Sequence, residues 1–156
     1  MALEIEHKFL IKNNDWKKNI KKSSDYKQGY LISDKTKSIR IRISDDKAWL
    51  NIKSATIGTA RQEYEYEIPL NEGIEILSSL CEKPLIEKTR HLVPNKQHTW
   101  EIDVFSGDNI GLIVAEIELS EVGETFLKPD WLGEEVTEDL RYYNNKLCKN
   151  PYKNWT

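Results

Sequence analysis

The chain has 156 residues, with 23 Lys and Arg against 26 Asp and Glu for a net charge of −3. That length suits a single domain over 1–156, and 38% hydrophobic with 10% aromatic residues is too apolar for a disordered chain. No apolar run approaches the roughly 18 residues of a membrane span. The charged opening MALEIEHKFLIK is unlike a secretory signal, and the acidic balance argues against a nucleic-acid partner. Cys81 and Cys148 form no CxxC and make no zinc site with three scattered histidines. They read as reduced, mostly buried thiols of a cytoplasmic protein, with a disulfide left open.

In chain order, period-two alternation predicts strands over Leu3–Lys12, Asp25–Ile32, Lys37–Ser44, Lys47–Ser54, Arg61–Pro69, Leu85–Val93, His98–Phe105 and Leu112–Ser120. Turn residues separate them: Ser33-Asp34, Asp45-Asp46, Gly58, Pro94-Asn95 and Ser106-Gly107-Asp108. Eight strands joined by tight turns suggest an antiparallel sheet that closes on itself. Helices are expected at Asn13–Ile20, at Asn71–Cys81 with Asn71 as cap, and at Thr137–Lys149 with Thr137 as cap. In the last, Leu140, Tyr143 and Leu147 would share a face packed on the sheet.

Residues two apart in a strand point the same way. Glu4, Glu6 and Lys8 therefore share one face, opposite Leu3, Ile5 and Phe9, with His7 on the apolar side as a structural residue. The same phase aligns Arg40 with Arg42, Asn51 with Lys53, and Arg61 with Glu63, Glu65 and Glu67. It also aligns Lys88 with Arg90, Glu101 with Asp103, and Glu116 with Glu118. A half-buried sheet with a charged solvent face explains any one such strand. Seventeen glutamates give about two Glu-x-Glu matches by chance, so a single one carries little weight.

Same-sign clustering carries more. Like charges about 7 Å apart on one face repel unless a counter-ion sits between them. Separate acidic and basic rows suit a metal–polyanion complex, with carboxylates on a hard cation and guanidinium or ammonium groups on phosphate oxygens. Closing the sheet with this face inward would make a water-filled polar tunnel, compensated by internal ion pairs. Its apolar outside would then need helices to cover it.

Glu4-Ile5-Glu6-His7-Lys8 resembles the ExExK signature of the CYTH superfamily, the triphosphate tunnel metalloenzymes. The resemblance continues in order through Gln28-Gly29-Tyr30-Leu31, Ile39-Arg40-Ile41-Arg42, Asn51-Ile52-Lys53 and Arg61-Gln62-Glu63-Tyr64-Glu65. It runs on through Glu87-Lys88-Thr89-Arg90, Glu101-Ile102-Asp103-Val104-Phe105 and Ala115-Glu116-Ile117-Glu118-Leu119. Val136-Thr137 with Arg141-Tyr142 and Asn144 is similar to the family's closing helix.

The resemblance implies a mainly β, α+β fold: a closed eight-stranded antiparallel barrel with flanking helices and a C-terminal helix. It implies hydrolysis of a triphosphate with Mg²⁺ or Mn²⁺. Glu4, Glu6, Glu116 and Glu118 would hold the metal. Lys8, Arg40, Arg42, Lys53, Lys88 and Arg90 would bind phosphates. Glu63 and Glu65 would hold a second metal or orient water, and Asp103 would pair with the basic row or support the metals. Tyr30 and Lys88 sit where the family tunes leaving-group protonation and cleavage position.

Inorganic tripolyphosphate is the leading substrate, because the barrel nearly fills the chain. A class IV adenylyl cyclase and a thiamine triphosphatase are alternatives on the same barrel. For the latter, Trp49 could stack on an organic ring, although packing is the commoner role for such a residue. A non-catalytic polyphosphate- or nucleotide-binding module is the reading from another class. No GxxxxGK[ST] is present, which excludes a P-loop mechanism. Trp131 and Trp155 could pack on the barrel or form a homodimer interface.

Overall fold

A computed structural model describes residues 3–55 and 59–155; the turn expected at Gly58 lies outside them. Eight strands form the barrel wall: β1 (Leu3–Ile11), β2 (Lys22–Ser33), β3 (Lys37–Ser44), β4 (Lys47–Ser54), β5 (Ala60–Ile68), β6 (Ile86–Asn95), β7 (His98–Phe105) and β8 (Ile113–Glu118). They follow the order β5-β4-β3-β2-β6-β7-β8-β1, and β1 pairs back onto β5 to close the cylinder. Every pairing is antiparallel, with Glu4 opposite Arg61 at the closing seam. A short β9 (Leu132–Glu135), absent from the sequence reading, adds to β1 on the outside.

Three of the predicted strands coincide with the observed ones, and the rest shift at their ends. The largest shift is at the start of β2, three residues earlier than expected, and at the β6–β7 hairpin β6 runs two residues longer. The ladder continues through Pro94 and Asn95, and the turn falls at Lys96-Gln97, with Lys96 at φ 60°. Asp45, in the β3–β4 turn, also has positive φ, a conformation that Asp tolerates better than most residues.

The apolar faces point outward and are covered over most of the barrel, though less by helices than expected, while Tyr64 and Tyr66 on β5 stay exposed. Helix α1 (Leu70–Ser79) lies on β3 and β4, where Leu77 joins Ile41 and Cys81. It starts after Pro69, with no side-chain cap, so Asn71 is not the cap. The larger core lies against β1, β7 and β8, around Phe9, Trp100 and Ile117. Trp16, from a 3₁₀ turn at Asp15–Asn19, and Trp131 close over it. Phe126 packs edge-on against Trp100 and Phe9. The chain that carries it is clasped by Glu124, which receives the Ser120 N–H and hydroxyl and meets His98 at 2.6 Å.

The expected helix over Thr137–Lys149 is instead a 3₁₀ turn at Leu140–Tyr142 and one turn of helix, α2 (Asn144–Leu147). Asp139 and Tyr143 are extended, which breaks it. Thr137 caps nothing; its hydroxyl accepts the Lys8 N–H and donates to Glu135. Leu140 is exposed, whereas Leu147 is fully buried with Tyr30, Ile86 and Phe105 and stops one end of the barrel. Both cysteines are free and buried, as expected. Among the described residues no helix is long and apolar enough to cross a membrane.

Candidate active site

Antiparallel pairing puts cross-strand partners on one face, so the registers decide what meets inside. Glu6 lies opposite Glu118, Lys8 opposite Glu116, Arg90 opposite Asp103 and Lys53 opposite Glu63. All these rows point into one cavity of about 170 Å³. Every residue nominated from the sequence lines it except Asp103. Glu6, Arg42 and Glu118 therefore face a shared interior. Arg61, Glu101, Ser38, Tyr143, Asn144 and Asn145 line it too, and none of them is among the site residues nominated from the sequence; Tyr143, expected to pack on the sheet, faces the cavity instead.

The interior is a chain of ion pairs. Lys8 Nζ donates to Glu116 at 2.7 Å and Glu6 at 3.0 Å. Lys53 Nζ reaches both Glu4 oxygens at 3.1 and 3.0 Å, and Arg61 Nε donates to Glu4 at 2.9 Å. Arg90 meets Glu101 at 2.6 Å and Glu116 at 3.4 Å. Asp103 is fully buried and joined to Arg90 and Lys88. Lys88 also donates to the Asn144 side-chain oxygen at 3.0 Å, and Gln28 braces that amide at 3.3 Å.

Two arginines are less satisfied. Arg40 has no carboxylate within 4 Å among the described residues, and its Nε and that of Arg42 are buried without hydrogen-bond partners. Arg42 stacks over Tyr26 and Trp49, and its Nη2 lies 3.4 Å from each Glu65 oxygen. Trp49 therefore packs on a site arginine, in keeping with its expected packing role. His7 sits outside the barrel against Phe126 and meets Glu135 at 2.6 Å.

The electrostatics follow from these partners. Burial works against the Lys8 ammonium, but Glu116 and Glu6 overcome it and hold its pKa above the ordinary lysine value. Burial brings Lys88 down to about 8 despite Asp103, and burial with Arg40 nearby lowers Lys53. Glu116 is held well below the carboxylate range because Lys8, Arg90 and Lys88 outweigh its burial. Glu118 behaves oppositely. Burial, then Glu4, Glu101, Glu63 and Glu6, push its carboxyl up to about 7. It has no ion-pair partner among the described residues.

Among the described residues, no three His, Cys, Asp or Glu side chains are already drawn into a metal-binding group. Most of the carboxylates turn toward lysines and arginines instead. The donor set nevertheless suits a hard cation: all its members are carboxylate oxygens, and Glu118 is surrounded by acids that raise its pKa. A divalent cation would relieve that repulsion, so these residues fit one.

A family model for the CYTH domain matches residues 2–151. The chain belongs to the CYTH family. It is 51% identical over 155 residues to an inorganic triphosphatase of Acetivibrio thermocellus, covering 99% of each chain. A second inorganic triphosphatase, from Nitrosomonas europaea, is 38% identical over 151 residues, covering 93% of this chain and 96% of the relative. The crystal structure of an inorganic triphosphatase superposes on this CYTH barrel with a TM-score of 0.67 at 31% identity, covering 95% of each chain.

Proposed function

We propose that this chain hydrolyses inorganic tripolyphosphate to pyrophosphate and phosphate with a divalent cation. The observation that carries the reading is the enclosed cavity in which acidic and basic rows converge, with buried arginine Nε–H donors left over. The full-length similarity to inorganic triphosphatases supports it.

Lys8, Arg40, Arg42, Lys53, Lys88 and Arg90 would hold the phosphates, together with Arg61. Fixed on strands, these charges stabilise a transferring phosphoryl group with little reorganisation, often the largest catalytic contribution. Glu4, Glu6, Glu116 and Glu118 would hold Mg²⁺ or Mn²⁺, while Glu63 and Glu65 would hold a second ion or orient the attacking water. When bound, such a cation neutralises non-bridging oxygens and acidifies a coordinated water.

The water oxygen bonds to the terminal phosphorus as the bond to the pyrophosphate oxygen breaks. Burial brings the Lys88 ammonium down to about 8, so it would donate toward that leaving oxygen more readily than an ordinary lysine. Tyr30, beside Arg40, would assist. Asp103 and Asn144 position Lys88 from below.

Phosphate release from tripolyphosphate, ATP and thiamine triphosphate, each with Mg²⁺ and Mn²⁺, tests the proposal. Tripolyphosphate should be turned over best and only with metal. Glu4→Gln and Glu116→Gln should each lower turnover on the order of 100-fold. A clear preference for either organic substrate would overturn the substrate assignment, and unchanged turnover in the two folded variants would overturn the metal assignment.

A further inference from the structure

Asn51 stands directly opposite Glu65 in the β4–β5 ladder and two pairs away from Glu63, which shares its face. Its side chain is 1% exposed and lies beneath the cavity rather than in its lining. The Asn51 Nδ2 group donates to Glu63 Oε2 and to Glu65 Oε2, both at 3.1 Å. One amide group thus spends its two hydrogens on two carboxylates. The reverse orientation would aim the carbonyl oxygen at two anions, so the chemistry fixes which end faces them.

That orientation is costly. It leaves Asn51 Oδ1 buried and without a hydrogen-bond partner among the described residues. An apolar residue at this position would avoid the cost, and a lysine would neutralise the acids. The contrast with the rest of the wall is instructive. Glu4 and Glu116 are held by lysines and arginines at 2.7–3.1 Å, which spends their charge inside the protein. Glu65 meets Arg42 Nη2 at the longer distance of 3.4 Å from each of its oxygens, and Glu63 has a 3.5 Å contact with Lys53. An amide orients without cancelling charge, because it brings two donors and no net positive charge.

We infer that Asn51 is a positioning residue that sets Glu63 and Glu65 as a paired, still anionic acceptor for a divalent cation. This rests on the metal-dependent reading above, with those two glutamates as the second-cation site. Asn51 touches neither substrate nor metal, and it acts through the two side chains it aligns.

The test uses the full-length chain and Mn²⁺ alone as the probe. Calorimetric Mn²⁺ titration of wild type, Asn51→Leu and Asn51→Ala compares a near-isosteric change with one too small to clash. Both variants should bind Mn²⁺ about tenfold more weakly at one class of site, with an effect of the size seen when outer-shell partners of metal ligands are removed. The Mn²⁺ concentration for half-maximal tripolyphosphate hydrolysis should rise in parallel. At saturating Mn²⁺, KM for tripolyphosphate should stay within about threefold of wild type while kcat falls.

A folded variant with unchanged Mn²⁺ titration overturns the inference, as does failure of both variants to fold, which would make the residue purely architectural. Absence of tripolyphosphate hydrolysis in wild type would instead sink the functional reading, and the Mn²⁺ titration would still report on Asn51.

Discussion

Arg90 and Asp103 face each other across the β6–β7 ladder as a two-pronged ion pair, Nε to Oδ1 at 2.7 Å and Nη2 to Oδ2 at 2.9 Å. Lys88 closes on the same carboxylate at 2.7 Å. One fully buried acid therefore anchors two cations of the cavity wall. Removing it would leave Arg90 with its two glutamates and Lys88 with only the Asn144 amide.

Asp103→Ala should consequently be among the most destabilising single changes in the barrel. Breaking a buried pair strands its partners, at a cost of about 3–5 kcal/mol. Urea unfolding would measure it. A loss under 1 kcal/mol would mean that the two cations find other partners or water, and that the anchor is dispensable.

Arg40→Ala should do the reverse to the ligand-free protein. Arg40 has the Tyr30 hydroxyl and the more distant Glu4 as favourable partners, but it repels Arg42, Lys53 and Arg90 and has no carboxylate within 4 Å among the described residues. Its removal relieves repulsion, so the melting temperature without ligand should hold or rise. A charge-assisted phosphate contact is worth roughly 1.5–3 kcal/mol, so kcat/KM should fall about 10- to 150-fold. Separate measurements of melting and of tripolyphosphate turnover would reveal the opposite signs. A variant that melts lower yet keeps full activity would contradict both.

Glu118 makes the metal-free protein sensitive to pH. In the folded state its carboxyl is pushed up to about 7, against an ordinary value of 4.5. Between those values the folded protein keeps a proton that the unfolded chain has released, so stability falls as pH rises from 4.5 to 7. Solvent reaches this carboxylate, so the screened effect should be about 1 kcal/mol. Melting curves across that window should slope downward for wild type and flatten in Glu118→Gln. Mn²⁺ should restore the wild type at the upper end. Equal slopes in both proteins would place the pH sensitivity elsewhere.

Gly73→Ala sets helix propensity against packing. Alanine is the better helix former by about 1 kcal/mol. However, a Cβ at Gly73 would overlap Ala48 Cβ on β4, forcing α1 off the barrel wall. Overpacking of this kind costs roughly 1–3 kcal/mol, so the net change should be destabilising. Thermal unfolding would decide the sign, and hydrolysis well below the melting point should be unaltered.

The barrel was legible because period-two alternation is rigid. Once Glu4 and Glu6 point inward, pairing with Glu118 and Arg61 fixes every neighbouring strand. The C-terminal segment was not. Thr137 and Asn144 read as helix residues, but each spends its side chain on the barrel, on Lys8 and on Lys88, and the backbone follows those bonds. β9 is only four residues long and exists because β1 offers it an edge. Arg61 was visible as part of a polar row, yet its tie to Glu4 depends on the seam between β1 and β5, which no local pattern predicts. The Asn51 amide is visible in the same row as Lys53, but its role is hidden for the same reason, since its partners lie on the neighbouring strand.

Trp100, Phe9, Phe126 and Trp131 hold the wall from its convex side, while the hollow within is lined mainly by charged side chains. Cohesion and chemistry therefore occupy opposite surfaces of the same strands. A lineage built this way can exchange interior charges to suit a differently shaped anion and leave its greasy girdle intact, so new catalytic tastes need not begin with a weakened scaffold.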